Sequence, residues 1–109
     1  MILVTLRMKV RAEKRDEFLR AMRSMLEPTA VEPGCLSCRF YQDTENTNAF
    51  TFVEEWESQA DLERHLRTDT FRMLLFLMDL LTEPPEIKFN AVSSTAGMEA
   101  IKAARERCM

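Results

Sequence analysis

Residues 49–71 read AFTFVEEWESQADLERHLRTDTF. Up to Trp56 the pattern has period two. Phe50, Phe52, Glu54 and Trp56 share one face, and Thr51, Val53 and Glu55 share the other. That is a strand with one covered side. After Ser58 the period lengthens. Leu62 and Leu66 lie one helical turn apart, and Asp61 stands three residues after Ser58, close to a capping box. A strand therefore runs straight into a capped helix. The sequence LRTD breaks that helix, and Thr68 or Asp69 is placed to cap another, expected to run through Leu81 before Pro84-Pro85.

The flanking segments extend the pattern. ILVTLRMKV alternates, with Ile2, Val4, Leu6, Met8 and Val10 on one face. AEKRDEFLRAMRSMLEP has helical spacing at Phe18, Met22, Met25 and Leu26, with Pro28 marking its expected end. VEPGC is a turn with Pro33-Gly34 as its signal. LSCRFYQD is a strand expected to place Leu36, Cys38, Phe40 and Gln42 on one face, and TENTN joins it to the next strand as a hairpin. EIKFNAV is a last strand, and the tail after Gly97 reads as a small, mostly polar helix. The order β-α-β-β-α-α-β plus a C-terminal helix is an α+β, ferredoxin-like split βαβ. Residues 1–92 form its body and 93–109 an extension.

Bulk properties exclude several classes. The net charge is −3 with both signs interspersed, against the basic stripe of a nucleic-acid binder. Two glycines leave no room for a phosphate-cradling loop. MILV is followed at once by Arg7, Lys9 and Arg11, so no export signal is expected, and three cysteines suit a reducing cytoplasm. The longest apolar run, Met73–Met78, is too short to span a bilayer. Cys35-x-x-Cys38 with His65 and Cys108 is a poor zinc set, and residues three apart on a strand point to opposite faces, so no metal is expected.

Two surfaces lack cover. The segment Phe71–Leu81 is apolar almost all round, and the outer sheet face carries Leu3, Tyr41, Val53 and Val92. Sheet-to-sheet dimerisation covers the second. A pocket or partner takes up part of the first.

Gly34-Cys35-Leu36, Glu54-x-Trp56, Ser58, and His65 followed six residues later by Phe71 together resemble the antibiotic biosynthesis monooxygenase family of the dimeric α/β-barrel superfamily. The resemblance covers residues 1 to 92. It implies a homodimer with a cavity in each protomer between sheet and helices. It also implies oxygenation of a small phenol, quinol or anthrone-like compound without a cofactor. A non-catalytic ligand-binding module and an isomerase of a small phosphorylated carbonyl compound are the alternatives. The haem-degrading branch of the family has its iron-binding histidine where this chain has Leu75, and this chain has a single histidine, so haem is not expected.

On this reading His65 is the base for a phenolic hydroxyl. Glu54, a carboxylate on an apolar face, needs a partner, which is His65, the substrate, backbone donors, or Arg64 or Arg67. Trp56, Phe52, Phe71 and Leu75 are the expected cavity walls. The methionines and Cys38 are expected to fill core.

Overall fold

The computed structural model describes residues 1–107. Strands β1 (Ile2–Lys9), β2 (Cys35–Gln42), β3 (Ala49–Trp56) and β4 (Glu86–Ala91) form an antiparallel sheet in the order β2-β3-β1-β4. Helix α1 (Arg15–Ala30) lies between β1 and β2. Helices α2 (Gln59–Leu66) and α3 (Asp69–Leu77) lie between β3 and β4, and α4 (Met98–Arg107) follows. Short 3-10 turns, Ala12–Lys14 and Met78–Leu80, precede α1 and follow α3. This is the split-βαβ order expected above.

Alternation decides which side of the sheet is dry. Leu6, Met8, Phe50 and Phe52 are buried against Phe18, Met22 and Met25 of α1 and Leu74 of α3. Phe18, Phe40 and Phe50 pack ring to ring, with the Phe40 and Phe50 rings stacked at 5.3 Å. A smaller cluster, Val4, Trp56 and Leu62, closes the other end with Ile2, Cys35 and Leu66.

Four details differ from the sequence reading. Helix α1 runs two residues past Pro28. Near a C-terminus the proline costs one backbone hydrogen bond, and its fixed φ suits the helix. Helix α3 stops at Leu77 rather than Leu81. The next turn tightens to a 3-10 turn, and Leu81 bridges to Val10. In β2 a bulge between Cys35 and Ser37 inserts one residue, so Leu36 points outward and is exposed. The same bulge overturns the opposite-face argument for the cysteines. Cys35 pairs with Trp56 and Cys38 with Glu54, so both lie on the helix-side face.

Cover is incomplete at three places. Met73, Leu75 and Phe76 on the outside of α3 are exposed, Phe76 by 67%. Every residue of β4 is exposed, including Ile87 and Phe89. Every residue of α4 except Ala103 is exposed. The radius of gyration is 16.5 Å, against about 13 Å for a compact chain of this length, because α4 projects from the body. No helix among the described residues is long and apolar enough to cross a membrane.

A buried carboxylate and imidazole pair as candidate functional site

Glu54 reaches the interior because β3 alternates and its even positions face the helices. Its residue is 3% exposed. Two groups offset the cost of burying it. Trp56 donates Nε1–H to Oε1 at 3.2 Å, and His65 brings Nε2 to 3.2 Å from Oε2. The His65 contact has the distance of an ion pair, but Nε2 is out of line for a hydrogen bond and has no aligned partner.

His65 comes from α2. Ser58 Oγ caps that helix by accepting from the Asp61 amide, and it also donates to Asp61 Oδ2. The cap fixes the helix phase, so Leu62 and His65 face inward three residues apart. The imidazole is 2% exposed. It stacks on Trp56 at 4.6 Å between ring centres, and Phe71 meets it edge-on at 5.4 Å. Arg64, weighed above as a partner of Glu54, pairs with Asp61 instead.

The second nitrogen of His65 meets a residue that the sequence reading treated only as part of a turn. Nδ1 lies 2.9 Å and 3.1 Å from the two carboxylate oxygens of Glu32. Glu32 opens the turn Glu32-Pro33-Gly34-Cys35, in which the Cys35 amide donates to the Glu32 carbonyl at 3.1 Å and Gly34 has φ +82°. Proline second and a positive-φ glycine third is the type II pattern. The Glu57 amide donates to the Gly34 carbonyl at 2.8 Å and ties this turn to the end of β3. The signal that could have found Glu32 is an acid held at the start of a rigid Pro-Gly turn beside the sheet end.

Gly34 is irreplaceable on two counts. Its φ disfavours any side chain, and an added Cβ would run into the Asp61 side chain. Gly34→Ala is expected to cost about 2 kcal/mol, the left-handed penalty of about 1–2 kcal/mol plus the displacement of Asp61. A lowered urea midpoint is the readout.

Burial by itself pushes the pKa of His65 down. The close approach and charge of Glu54, and then the hydrogen bond and charge of Glu32, outweigh it, and the imidazole titrates above its ordinary value. Burial likewise raises Cys35, and it pushes Cys38 up to about 12 with the Glu54 charge adding, so both thiols stay protonated. Since the folded pKa of His65 exceeds the unfolded one, its stabilisation is complete below about pH 6.5 and is lost as pH rises through the folded value. A thermal unfolding series should therefore show a fall in Tm as pH rises above about 6.5 and through the folded value, a fall that is absent in His65→Gln.

A cavity of about 10 Å³ adjoins the pair, lined by Met22, Met25, Phe52, Phe71 and Leu74, with Glu54, His65, Thr29 and Thr70 as its polar members. That is room for about one water. Phe52 and Phe71 are part of this lining, whereas Leu75 is 55% exposed on the outside of α3 and Leu74 takes the wall position. The Thr68 cap, which accepts from the Phe71 amide, sets a helix phase that turns Phe71 and Leu74 inward. Trp56 is fully buried beneath His65 and is not part of the lining. A wider hollow of about 270 Å³ lies at the sheet end, among Arg7, Lys9, Asp43, Glu83 and Glu86, away from the pair. No cluster of three or more His, Cys, Asp or Glu among the described residues is arranged to hold a metal, and Cys108 lies outside them.

A family model described as antibiotic biosynthesis monooxygenase matches residues 1–74. An uncharacterized protein of Synechocystis is 37% identical over 95 residues, which cover 86% of this chain and 65% of that protein. Among solved structures, one described as an antibiotic biosynthesis monooxygenase superposes with a TM-score of 0.80 at 25% identity, covering 86% of this chain and 100% of its own. A conserved protein from Methanosarcina mazei Go1 gives 0.78 at 33% identity, covering 82% of this chain and 89% of its own.

Proposed function

The chain belongs to the antibiotic biosynthesis monooxygenase family, and on that premise we propose that it is a homodimeric, cofactor-independent monooxygenase of a small electron-rich phenol, quinol or anthrone-like compound. The observation that supports this most is a buried imidazole, flanked by Glu54, at the edge of an apolar cavity.

In the proposed reaction His65 takes the proton of the substrate hydroxyl, and Glu54 orients that hydroxyl. The electron-rich anion passes one electron to O2, giving superoxide and a carbon-centred radical. Their combination forms a C–O bond. The proton held on His65 goes to the distal peroxide oxygen. The O–O bond then breaks as the hydrogen on the oxygenated carbon leaves as a proton, its electron pair forms the carbonyl, and the departing hydroxide takes a proton to leave as water. Phe52, Phe71 and Leu74 grip the ring. At about 10 Å³ the cavity must widen to admit one. Met22 and Met25 are unbranched side chains that repack readily, and α3, with its outer face uncovered, is the element free to shift. The test is O2 uptake over a panel of hydroquinones and anthrones. Consumption matched to a carbonyl product supports the proposal, and no uptake with any member counts against it.

The narrow cavity also favours a second reading, a non-catalytic module for a small apolar ligand. Glu54 and His65 then serve each other and the fold. A ligand that raises Tm without turnover is its signature. The third reading, an isomerase of a phosphorylated carbonyl compound, is disfavoured because the charged group beside His65 in the lining is a carboxylate, which repels phosphate.

For assembly, we propose pairing through the open sheet face. Leu3, Val53 and Tyr41 stand there on neighbouring strands among Thr5, Arg7 and Arg39. Sedimentation at micromolar concentration should give twice the chain mass. Val53→Arg, which sets a like charge opposite Arg39 at the centre of that face, should shift the protein to monomer with little loss of fold.

A further inference from the structure

Glu32 does not line the cavity, yet its carboxylate brackets His65 Nδ1 with both oxygens, at 2.9 Å and 3.1 Å. Its own side chain is 16% exposed, while the ring it holds is 2% exposed and sandwiched by Trp56 and Phe71. The ring therefore has no freedom to flip. An ionised carboxylate only accepts hydrogen bonds, so the nitrogen it brackets carries a hydrogen in both protonation states of the ring. The atom left to gain or lose a proton is Nε2. It is buried, beside the cavity, and without an aligned hydrogen-bond partner.

We infer that Glu32 is a positioning residue: it fixes the tautomer of His65, so that Nε2 is the ring atom that exchanges a proton with whatever occupies the cavity. This rests on the reading of the pocket as a place where a substrate proton is taken. In that step the substrate O–H bond breaks, its electron pair stays on oxygen, and the proton binds the Nε2 lone pair. The imidazolium formed has Nδ1–H on Glu32 and Nε2–H beside Glu54. The arrangement has the logic of an acid orienting a histidine base, with the acid delivered by a turn rather than by the strand that bears Glu54.

The charged groups facing the ring are Glu32 from the α1–β2 turn and Glu54 from β3. From β2 the neighbouring groups are the protonated thiols of Cys35 and Cys38. Thr29 of α1 and Thr70 of α3, the polar lining from the remaining elements, do not ionise.

The chain has one histidine, so its NMR titration needs no assignment and no substrate. In the wild type, the nitrogen shifts of the neutral ring should report hydrogen on Nδ1. In Glu32→Gln the titration midpoint should fall, because one of two facing carboxylates is gone, and the Nδ1–H form should lose its dominance. Glu32→Asp should restore part of both. With a turned-over substrate, the acid limb of kcat/KM should move to lower pH in Glu32→Gln in step with the NMR midpoint. Its plateau should drop by about 10–100-fold, the usual cost of removing such an orienting partner. A wild-type neutral ring with its hydrogen on Nε2 overturns the inference. So does a Glu32→Gln protein, folded by circular dichroism, with unchanged tautomer and midpoint. Should Glu32→Gln not fold, Glu32→Ala carries the comparison, and an unchanged tautomer and midpoint there overturn it equally. Absence of O2 uptake in wild type sinks the monooxygenase reading instead, and the spectra separate the two failures.

Discussion

His65→Gln should lower kcat by about 10²–10⁴-fold, the contribution of a placed general base. Glutamine fills most of the volume and keeps an N–H donor for a carboxylate, but it has no basic nitrogen. It is a better probe than alanine. His65→Ala would leave Glu32 and Glu54 facing a void with no cation between them, and losing one member of a buried ion pair costs about 3–5 kcal/mol. Alanine would thus mix loss of chemistry with loss of fold. The measurement is O2 consumption across pH at saturating substrate, alongside urea unfolding of the same preparation. Equal rates in the two proteins would remove His65 from the mechanism. Since His65 titrates above its ordinary value, the wild-type rate should rise as pH climbs through the raised pKa, and the Gln variant should be flat there.

Trp56→Ala should be the most damaging core substitution in the molecule. Its side chain is fully buried, stacks on His65, packs with Val4 and Leu62, and supplies the N–H donor to Glu54. Truncating a buried tryptophan costs about 3–5 kcal/mol through lost contacts and a cavity. A buried carboxylate oxygen without its donor adds about 1–3 kcal/mol. For a domain whose whole stability is of order 10 kcal/mol, this should give a protein partly unfolded at 37 °C, read as a drop in Tm of more than 10 °C. Trp56→Phe keeps most of the area and loses the N–H, so the difference between the two variants isolates the packing share.

The sequence made the fold legible because each element carries one clear period. The change from period two to helical spacing at Ser58 placed β3 and α2, and the buried side of β1 followed from its alternation. Reading failed where one residue changes the phase. The bulge in β2 moved Leu36 outward and brought Cys35 round to the face of Cys38, and period counting cannot see an inserted residue. On α3, every position from Met73 to Leu77 is apolar, so pattern could not choose between Leu74 and Leu75. The cap at Thr68 made the choice. The site was half legible. Glu54 stood out as an acid among apolar neighbours, and His65 as a polar residue at the edge of a buried stripe. Glu32 did not stand out, because its partner is 33 residues away and only the tertiary fold brings them together.

The β2 bulge has a consequence for how this chain tolerates change. Leu36 is the spare residue in a stretch where two positions of one strand oppose one of the other. Beyond it, Ser37 to Gln42 pair with Glu55 to Phe50 in unbroken register. Chain length and sheet alignment are therefore uncoupled at this point. A residue gained or lost here changes a local bump at the rim, while the aromatic stack of Phe40 on Phe50 and the setting of Glu54 downstream keep their places. The rim beside the Glu32 turn is where the sequence has slack, and the strand bearing the acid has none.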